Sequence, residues 1–137
     1  MIKARVLSPG TASGRVLLLT EPLSFWGGFD PRTGSIIDVH HPQFGASLSG
    51  LIMLMAETRG SGTASGAVAE AIRRGTAPEA IITIKPDVNI AIGAAVAGEL
   101  YGRTCPILAV APHDFELLSR APALAIFADG TITAASP

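Results

Sequence analysis

The chain has 137 residues, 48% of them hydrophobic and 15% charged, with a formal net charge of -1 at pH 7. This length suits one domain with a proper core, so we expect residues 1–137 to form a single domain. A balanced charge and an aromatic content of 5% argue against nucleic-acid binding. No apolar run approaches the roughly 20 residues that cross a bilayer, so no membrane partner is expected. The hydrophobic surplus indicates instead a face that another protein covers.

Cysteine and histidine are scarce, with one cysteine, Cys105, and three histidines. A single cysteine excludes an internal disulfide and fits a reducing compartment, so we expect the protein in the cytoplasm. These side chains are too few for the usual four-ligand zinc site, and we expect no metal site within this chain. Most ligands of any metal that the protein uses must come from elsewhere.

Short elements and frequent turns fill the first half of the chain. Strands are predicted at residues 4–7 and 14–20, on either side of a turn rich in serine, proline and glycine. Residues 21–35 form a long loop, and long ordered loops in compact domains are often functional. A short strand is predicted at residues 36–39 and a central strand at residues 49–56.

The second half alternates apolar strands with short helices. Helices are predicted at residues 64–74 and 90–100, and strands at residues 80–84, 107–110, 124–127 and 131–134. The first helix ends in two arginines followed by Gly75, and Asp87 or Asn89 can cap the second. Asp129-Gly130 is a strong hairpin signal.

Nearly continuous apolar strands that alternate with helices predict a sheet covered on both faces. Hairpins at both ends of the chain indicate antiparallel additions to it. The expected fold is therefore a compact α/β or β/β/α domain.

The most informative segment is the glycine-rich turn at residues 58–66, between an apolar strand and a helix. Glycines let the backbone approach a ligand closely, and the first amides of a helix present N–H donors and partial positive charge. An anion or a developing oxyanion is the natural occupant, and Arg59 adds a full charge there. Ser61 is the hydroxyl that we expect to do chemistry.

Several residues of this turn are candidates for the site. Ser61 is either the catalytic group or a simple helix cap. Ser65 lies one helical turn further on, as a second catalytic candidate or a small residue for close packing. Arg59 is either a clamp for a substrate carboxylate or a surface charge. Gly60, Gly62 and Thr63 are predicted to contact the substrate.

Four further residues are candidates for a lid or a subunit contact. Asp30 and Arg32 belong either to such a lid or to an ordinary Asp-Pro turn. Trp26 is either a core residue or an interface anchor, and an exposed loop favours the anchor. His41 is a possible site residue or a structural histidine with satisfied hydrogen bonds.

An ordered set of motifs resembles a known family. The set comprises Gly-Phe-Asp-Pro-Arg-Thr-Gly at residues 28–34, Ile-Ile-Asp at 36–38, His41-Pro42 with Gly45, and Arg-Gly-Ser at 59–61. It resembles the small subunit of the aconitase X group. The resemblance implies a swivelling β/β/α domain with mixed, barrel-like sheets and short helices. It also implies a two-chain hydro-lyase whose large chain, not this one, carries an iron–sulfur cluster.

The resemblance implies dehydration of a small hydroxy acid. The group's known substrates are cis-3-hydroxy-L-proline and phosphomevalonate. The order Gly-Thr-Ala-Ser at residues 62–65, in place of the cysteine and serines of the phosphomevalonate type, favours hydroxyproline. Ser61, as an alkoxide, would take the proton next to the carboxylate, and an iron of the partner's cluster can assist the leaving hydroxide. The turn, the helix and Arg59 must stabilise that alkoxide while the large chain excludes water.

Two other classes of function remain open. Residues 8–14 resemble the opening of phosphohistidine swivel domains, but the turn at residues 58–66 has no histidine to carry phosphate. A non-catalytic assembly subunit would also suit the small size and apolar composition, and it would tolerate the loss of Ser61.

Overall fold

A computed structural model describes residues 1–59 and 62–136. Gly60 and Ser61, both predicted site residues, lie outside the described residues. The strands are β1 (Ile2–Lys3), β2 (Arg5–Ser8), β3 (Ala12–Leu18), β4 (Phe29–Asp30), β5 (Ser35–Ile36), β6 (Ile52–Leu54), β7 (Ala80–Thr83), β8 (Ile107–Ala109), β9 (Ala123–Ile126) and β10 (Thr131–Ala134). The helices are α1 (Ala64–Arg74), α2 (Val88–Tyr101) and α3 (Pro112–Ser119).

Eight of these strands form one mixed sheet in the order β1-β10-β9-β3-β6-β7-β8-β2. The middle strands β3, β6, β7 and β8 are parallel, and the flanking strands are antiparallel. The two edge strands, β1 and β2, are separated in the chain by Ala4 alone, so the sheet curls into a nearly closed barrel. Ala4 N–H donates to the Gly130 carbonyl at 2.9 Å near this closure. A Cβ atom on Gly130 would lie 2.7 Å from Val6 Cγ2, so a side chain there would push these segments apart.

Both faces of the parallel strands β6, β7 and β8 are buried, as the sequence predicted. Ile52 and Leu54 of β6 point into the barrel, where they pack with residues of β9, β10 and α3. Met53 and Met55 point to the other face, where they pack with α1, α2 and the long loop after β3. Period-two alternation puts apolar side chains on both faces of one strand, which explains the uninterrupted apolar runs.

The helices α1 and α2 and the C-terminal hairpin confirm the sequence predictions. α1 has the predicted bounds and ends at Gly75, whose φ of 77° is left-handed. α2 begins two residues earlier than predicted, with Asp87 as its cap. β9 and β10 pair as a hairpin, with Ile126 opposite Ile132.

The predicted N-terminal hairpin is wrong. β2 and β3 are joined by a short turn, yet β2 pairs with β8 and β3 pairs with β6 and β9. The turn packs on the segment before β8, because a Cβ on Gly10 would lie 2.9 Å from Thr104 Oγ1. The strand predicted at residues 36–39 is also too long. β5 ends at Ile36, and the next residues leave the two-stranded β4–β5 pairing.

Cys105 is buried as the sequence predicted, and its thiol donates to the Pro78 carbonyl at 3.4 Å. Burial raises the pKa of this thiol to about 12. The thiol is therefore neutral and shielded at neutral pH, as expected of a small hydrophobic core residue.

Candidate active site

The candidate site lies at the carboxyl edge of the parallel strands. β6 ends at Leu54 and β7 at Thr83, and each strand leads through a short loop into a helix. Because β6 and β7 are parallel neighbours, both loops emerge at the same edge of the sheet. This edge is where open α/β sheets bind ligands.

Hydrogen bonds join the two loops. The N–H groups of Ile84 and Lys85 both donate to the Ala56 carbonyl, at 2.9 and 3.1 Å. The Thr58 hydroxyl donates to Oδ2 of Asp87. The other oxygen of Asp87, Oδ1, accepts from the first-turn amide N–H groups of α2, at 2.8 and 3.3 Å. Asp87 therefore fixes the start of α2 and the β6–α1 loop at once.

A cavity of about 210 Å³ opens between these loops. Its lining includes Thr58, Lys85, Asp87, Val88 and Asn89. Sequence reasoning missed Lys85, whose exposed side chain adds a cation to this edge. The signal was present in the sequence, because Lys85 follows β7 as the glycine-rich turn follows β6, and neighbouring parallel strands bring such positions together.

The described residues of the glycine-rich turn occupy the start of α1. Thr63 is the N-cap residue, and Arg59 and Gly62 are exposed. The Arg59 N–H donates to the Leu23 carbonyl at 3.1 Å, which ties the turn to the long loop. A Cβ on Gly62 would meet no described atom within 4 Å, so the turn borders open space. Arg59, Gly62 and Thr63 are thus placed where a ligand can reach them.

Ser65 lies where α1 crosses α2. A Cβ on Gly93 of α2 would lie 2.4 Å from the Ser65 carbonyl oxygen, so the two backbones approach as closely as glycine permits. Ser65 is half-buried. This contact supports the close-packing role of a small residue, and a catalytic role for Ser65 stays a prediction.

Trp26 stands at an apolar groove beside α1. Its side chain is 63% exposed, as an interface anchor in a loop would be. The groove, of about 500 Å³, lies between the loop and Gly66, Ala67 and Glu70 of α1. Beneath it, Phe25 and Phe29 pack edge to face with centroids 5.4 Å apart. An interface role for Trp26 stays a prediction that this exposure favours.

Asp30 and Arg32 bond to each other in a turn beside α1. Both Asp30 oxygens accept from Arg32, with the shortest distance, 2.9 Å, to the Arg32 N–H, and these bonds lower the pKa of Asp30. The Pro31 carbonyl accepts from the Thr76 hydroxyl, which lies just beyond the C-terminal end of α1. Pro31 also lines the groove beside Gly66 and Ala67, so this turn lies alongside α1. The ordinary Asp-Pro turn fits these contacts, and a role in a lid or a subunit contact stays a prediction.

His41 is held inside the chain. Its Nε2 lies 3.0 Å from the Glu21 carbonyl, and its Nδ1 accepts from the Gln43 N–H at 3.0 Å. The Gln43 side chain in turn donates to Leu18 at the end of β3. Both ring nitrogens of His41 have hydrogen-bond partners, and the side chain is buried. These contacts favour the structural histidine of the two alternatives that the sequence offered.

The described residues do not fit an iron–sulfur cluster. Such clusters take several cysteine thiolates, and the one cysteine is buried and bonded to a backbone carbonyl. Across residues 1–59 and 62–136, no group of three His, Cys, Asp or Glu side chains is arranged to hold a metal ion.

No helix in those same ranges is long and apolar enough to traverse a bilayer.

The fold is an α/β domain whose carboxyl edge carries the exposed side chains of Arg59 and Lys85 beside the starts of α1 and α2. Residues 1–134 match the model of the aconitase X swivel domain, and the chain belongs to that family.

Relatives agree with this assignment. The chain is 44% identical over 117 residues to the cis-3-hydroxy-L-proline dehydratase of Pseudomonas aeruginosa, covering 85% of this chain and 20% of that relative. It is 43% identical over 97 residues to the phosphomevalonate dehydratase small subunit of Methanothermobacter thermautotrophicus, covering 71% of this chain and 74% of that subunit. A crystal structure of Thermococcus kodakaraensis aconitase X superimposes with a TM-score of 0.81 at 27% identity, covering 98% of this chain and 97% of that chain. The chain thus spans about one fifth of the length of the Pseudomonas relative.

Proposed function

We propose that this chain is the small swivel subunit of a cytoplasmic dehydratase that acts on cis-3-hydroxy-L-proline. A separate large chain would carry the iron–sulfur cluster and the rest of the active site. The proposed substrate rests on the 44% identity to the Pseudomonas cis-3-hydroxy-L-proline dehydratase. The described residues do not fit the cluster, so its ligands are assigned to the large chain.

In this proposal Ser61 is the base. The substrate carries its carboxylate on C2 and its hydroxyl on C3. The proton on C2 passes to the Ser61 alkoxide, the electron pair of that C–H bond forms the C2–C3 double bond, and the C3–O bond breaks to give hydroxide. A proton supplied from the large chain's part of the site would convert this hydroxide to water. The partial charge at the start of α1 and the Arg59 guanidinium would stabilise the serine alkoxide. Departure of the hydroxyl group is assigned to the large chain.

Substrate binding falls to the cations at the carboxyl edge. Arg59 is suited to hold the substrate carboxylate through paired hydrogen bonds. Lys85 lines the cavity between the two loops and supplies a second positive charge at this edge. The bond between Thr58 and Asp87 would hold the two loops in register around the substrate. Gly60, Gly62 and Thr63 would bring backbone donors close to it.

The large chain is needed because the edge is open. Arg59, Gly62, Thr63 and Lys85 are all exposed to solvent. An alkoxide is strongly stabilised by nearby dipoles only where water is excluded. A body that closes over this edge would provide that exclusion.

Phosphomevalonate is the second candidate substrate. The Methanothermobacter small subunit is 43% identical to this chain and of comparable length. The exposed Lys85 beside the cavity, together with Arg59 in the glycine-rich turn, also suits a phosphate group.

The test is reconstitution. The neighbouring reading frames are searched for a large chain with cluster-ligating cysteines, this chain is mixed with it, and each substrate is assayed with the pair and with either chain alone. We expect turnover of cis-3-hydroxy-L-proline by the pair only. Turnover of phosphomevalonate instead would establish the second candidate. A pair that turns over neither substrate would contradict the proposal.

A further inference from the structure

The outer face of α2 carries a row of exposed aliphatic side chains. Its members Val88, Ile92, Val96 and Leu100 are 63%, 49%, 42% and 65% exposed. They recur every four residues, so they follow one side of the helix in a stripe about 18 Å long, at 1.5 Å per residue. We call these four residues the α2 stripe.

The composition of α2 is unusual for a helix at a surface. Glu99 is the one charged residue among its 14 residues. The inner face is also apolar, with Ile90, Ala94 and Ala97 buried. A helix that is hydrophobic all round is normally buried on all sides. The described part of the chain covers only one side of α2, which indicates that another body covers the stripe.

We infer that the α2 stripe is the docking surface for the large chain of the dehydratase, an inference that rests on the proposed function. The stripe begins at the candidate site, since Val88 lines the cavity beside Thr58 and Asp87. A large chain that closes this cavity meets Val88 first and then extends along α2. Site closure and burial of the stripe are therefore one event.

The comparison with the Pseudomonas relative favours this occupant. The matched region makes up 20% of that relative, so the remaining polypeptide is covalently joined to the equivalent domain. A second copy of this chain is the competing occupant. Two copies paired along the stripe would cover Val88 and the mouth of the cavity, and they would block the large chain from the site.

The expected chemistry of the contact is apolar. Aliphatic side chains from the large chain would pack between Ile92 and Val96, near the middle of the stripe. Residues at the centre of an interface carry most of its binding energy. A charge placed there would have to be buried without a partner when the complex forms.

The experiment measures the dissociation constant of the reconstituted pair by isothermal titration. Ile92→Glu and Val96→Glu are each expected to weaken binding by on the order of 10- to 100-fold. Glutamate is a good helix former, so α2 should survive both changes. The conservative variant Val96→Leu is expected to bind as the unaltered chain does. Thermal melting of each isolated variant checks the fold.

Leu117→Glu on α3 is the matched control. Leu117 is 47% exposed, close to the value for Ile92, and lies on a different helix. We expect this variant to bind the large chain as the unaltered chain does. Equal weakening by all three glutamate variants would overturn the inference, because the effect would then be one of charge alone.

Other outcomes separate this inference from the proposed function. Suppose that the unaltered pair binds and turns over substrate, and that the two stripe variants bind the large chain as tightly as the unaltered chain does. The α2 stripe is then not the docking surface, and the proposed function stands. If the isolated chain is a dimer that Ile92→Glu dissociates, with no change in large-chain binding, the occupant is a second copy. If the unaltered pair neither binds nor reacts, the proposed function itself fails.

Discussion

α1 and α2 lie side by side on one face of the sheet, yet their outer surfaces differ. Glu70 of α1 accepts hydrogen bonds from Arg73 at 2.5 and 3.0 Å and from Arg74 at 3.2 Å. The outer surface of α2 carries the aliphatic stripe instead. Both helices end at a left-handed glycine, so local helix signals do not explain the contrast. Apolar residues on the inner faces stabilise this chain, whereas those on the stripe would stabilise a complex.

The largest expected effect tests the two faces of α2 against each other. Ile90 is fully buried and Ile92 is half exposed, two positions apart on one helix. Ile90→Ala is expected to lower the free energy of unfolding of the isolated chain by about 3 kcal/mol. Ile92→Ala should change it by less than about 0.5 kcal/mol, because the side chain is half exposed and alanine is the better helix former. Urea denaturation followed by circular dichroism measures the free energy of unfolding of both variants. Equal losses of stability would contradict the claim that only the inner face of α2 stabilises this chain.

An intermediate effect is expected at the start of α2. Asp87→Ala removes the cap of the helix and the acceptor of the Thr58 hydroxyl, so stability should fall by about 1 to 2 kcal/mol. Thr58→Val removes only the bond between the loops and should cost about 1 kcal/mol or less. In the reconstituted pair both variants should lower kcat. Unchanged stability of Asp87→Ala would show that α2 does not depend on this cap.

The smallest effect concerns the charged face of α1. Hydrogen bonds from Arg73 and Arg74 lower the pKa of Glu70 from its usual 4.5 to about 2. The stabilisation is therefore present above about pH 4.5 and is lost as the pH falls towards 2. Because the ion pairs are exposed, the effect should be small and should weaken in high salt. Thermal melting between pH 2 and 6, in the range given by these pKa values, should show a shallower acid loss for Glu70→Gln. Identical profiles for the two proteins would contradict this.

Much of the fold was predictable from local signals. The end of α1 followed from the two arginines and Gly75. The C-terminal hairpin followed from Asp129-Gly130. The error at the N terminus has a physical reason. A turn signal shows that the chain reverses, but it does not show which strand each arm joins, and closure of the barrel takes β2 to β8.

The candidate site was predictable only in part. The glycine-rich turn stands out in the sequence, whereas Lys85 and Asp87 join the site through the pairing of β6 with β7, which is a property of the whole sheet. The four-residue spacing of the stripe is visible in the sequence. Because α2 is apolar all round, that spacing does not show which of its faces meets this chain and which meets a partner.

The central claim, that Ser61 is the base of a two-chain dehydratase, is tested most directly by one variant. Ser61→Ala is assayed in the reconstituted pair, with binding of the large chain measured in parallel. We expect the pair to assemble normally while kcat falls by at least about 100-fold, as on removal of a general base. Turnover close to that of the unaltered pair, in an intact complex, would contradict the claim and leave this chain as an assembly subunit.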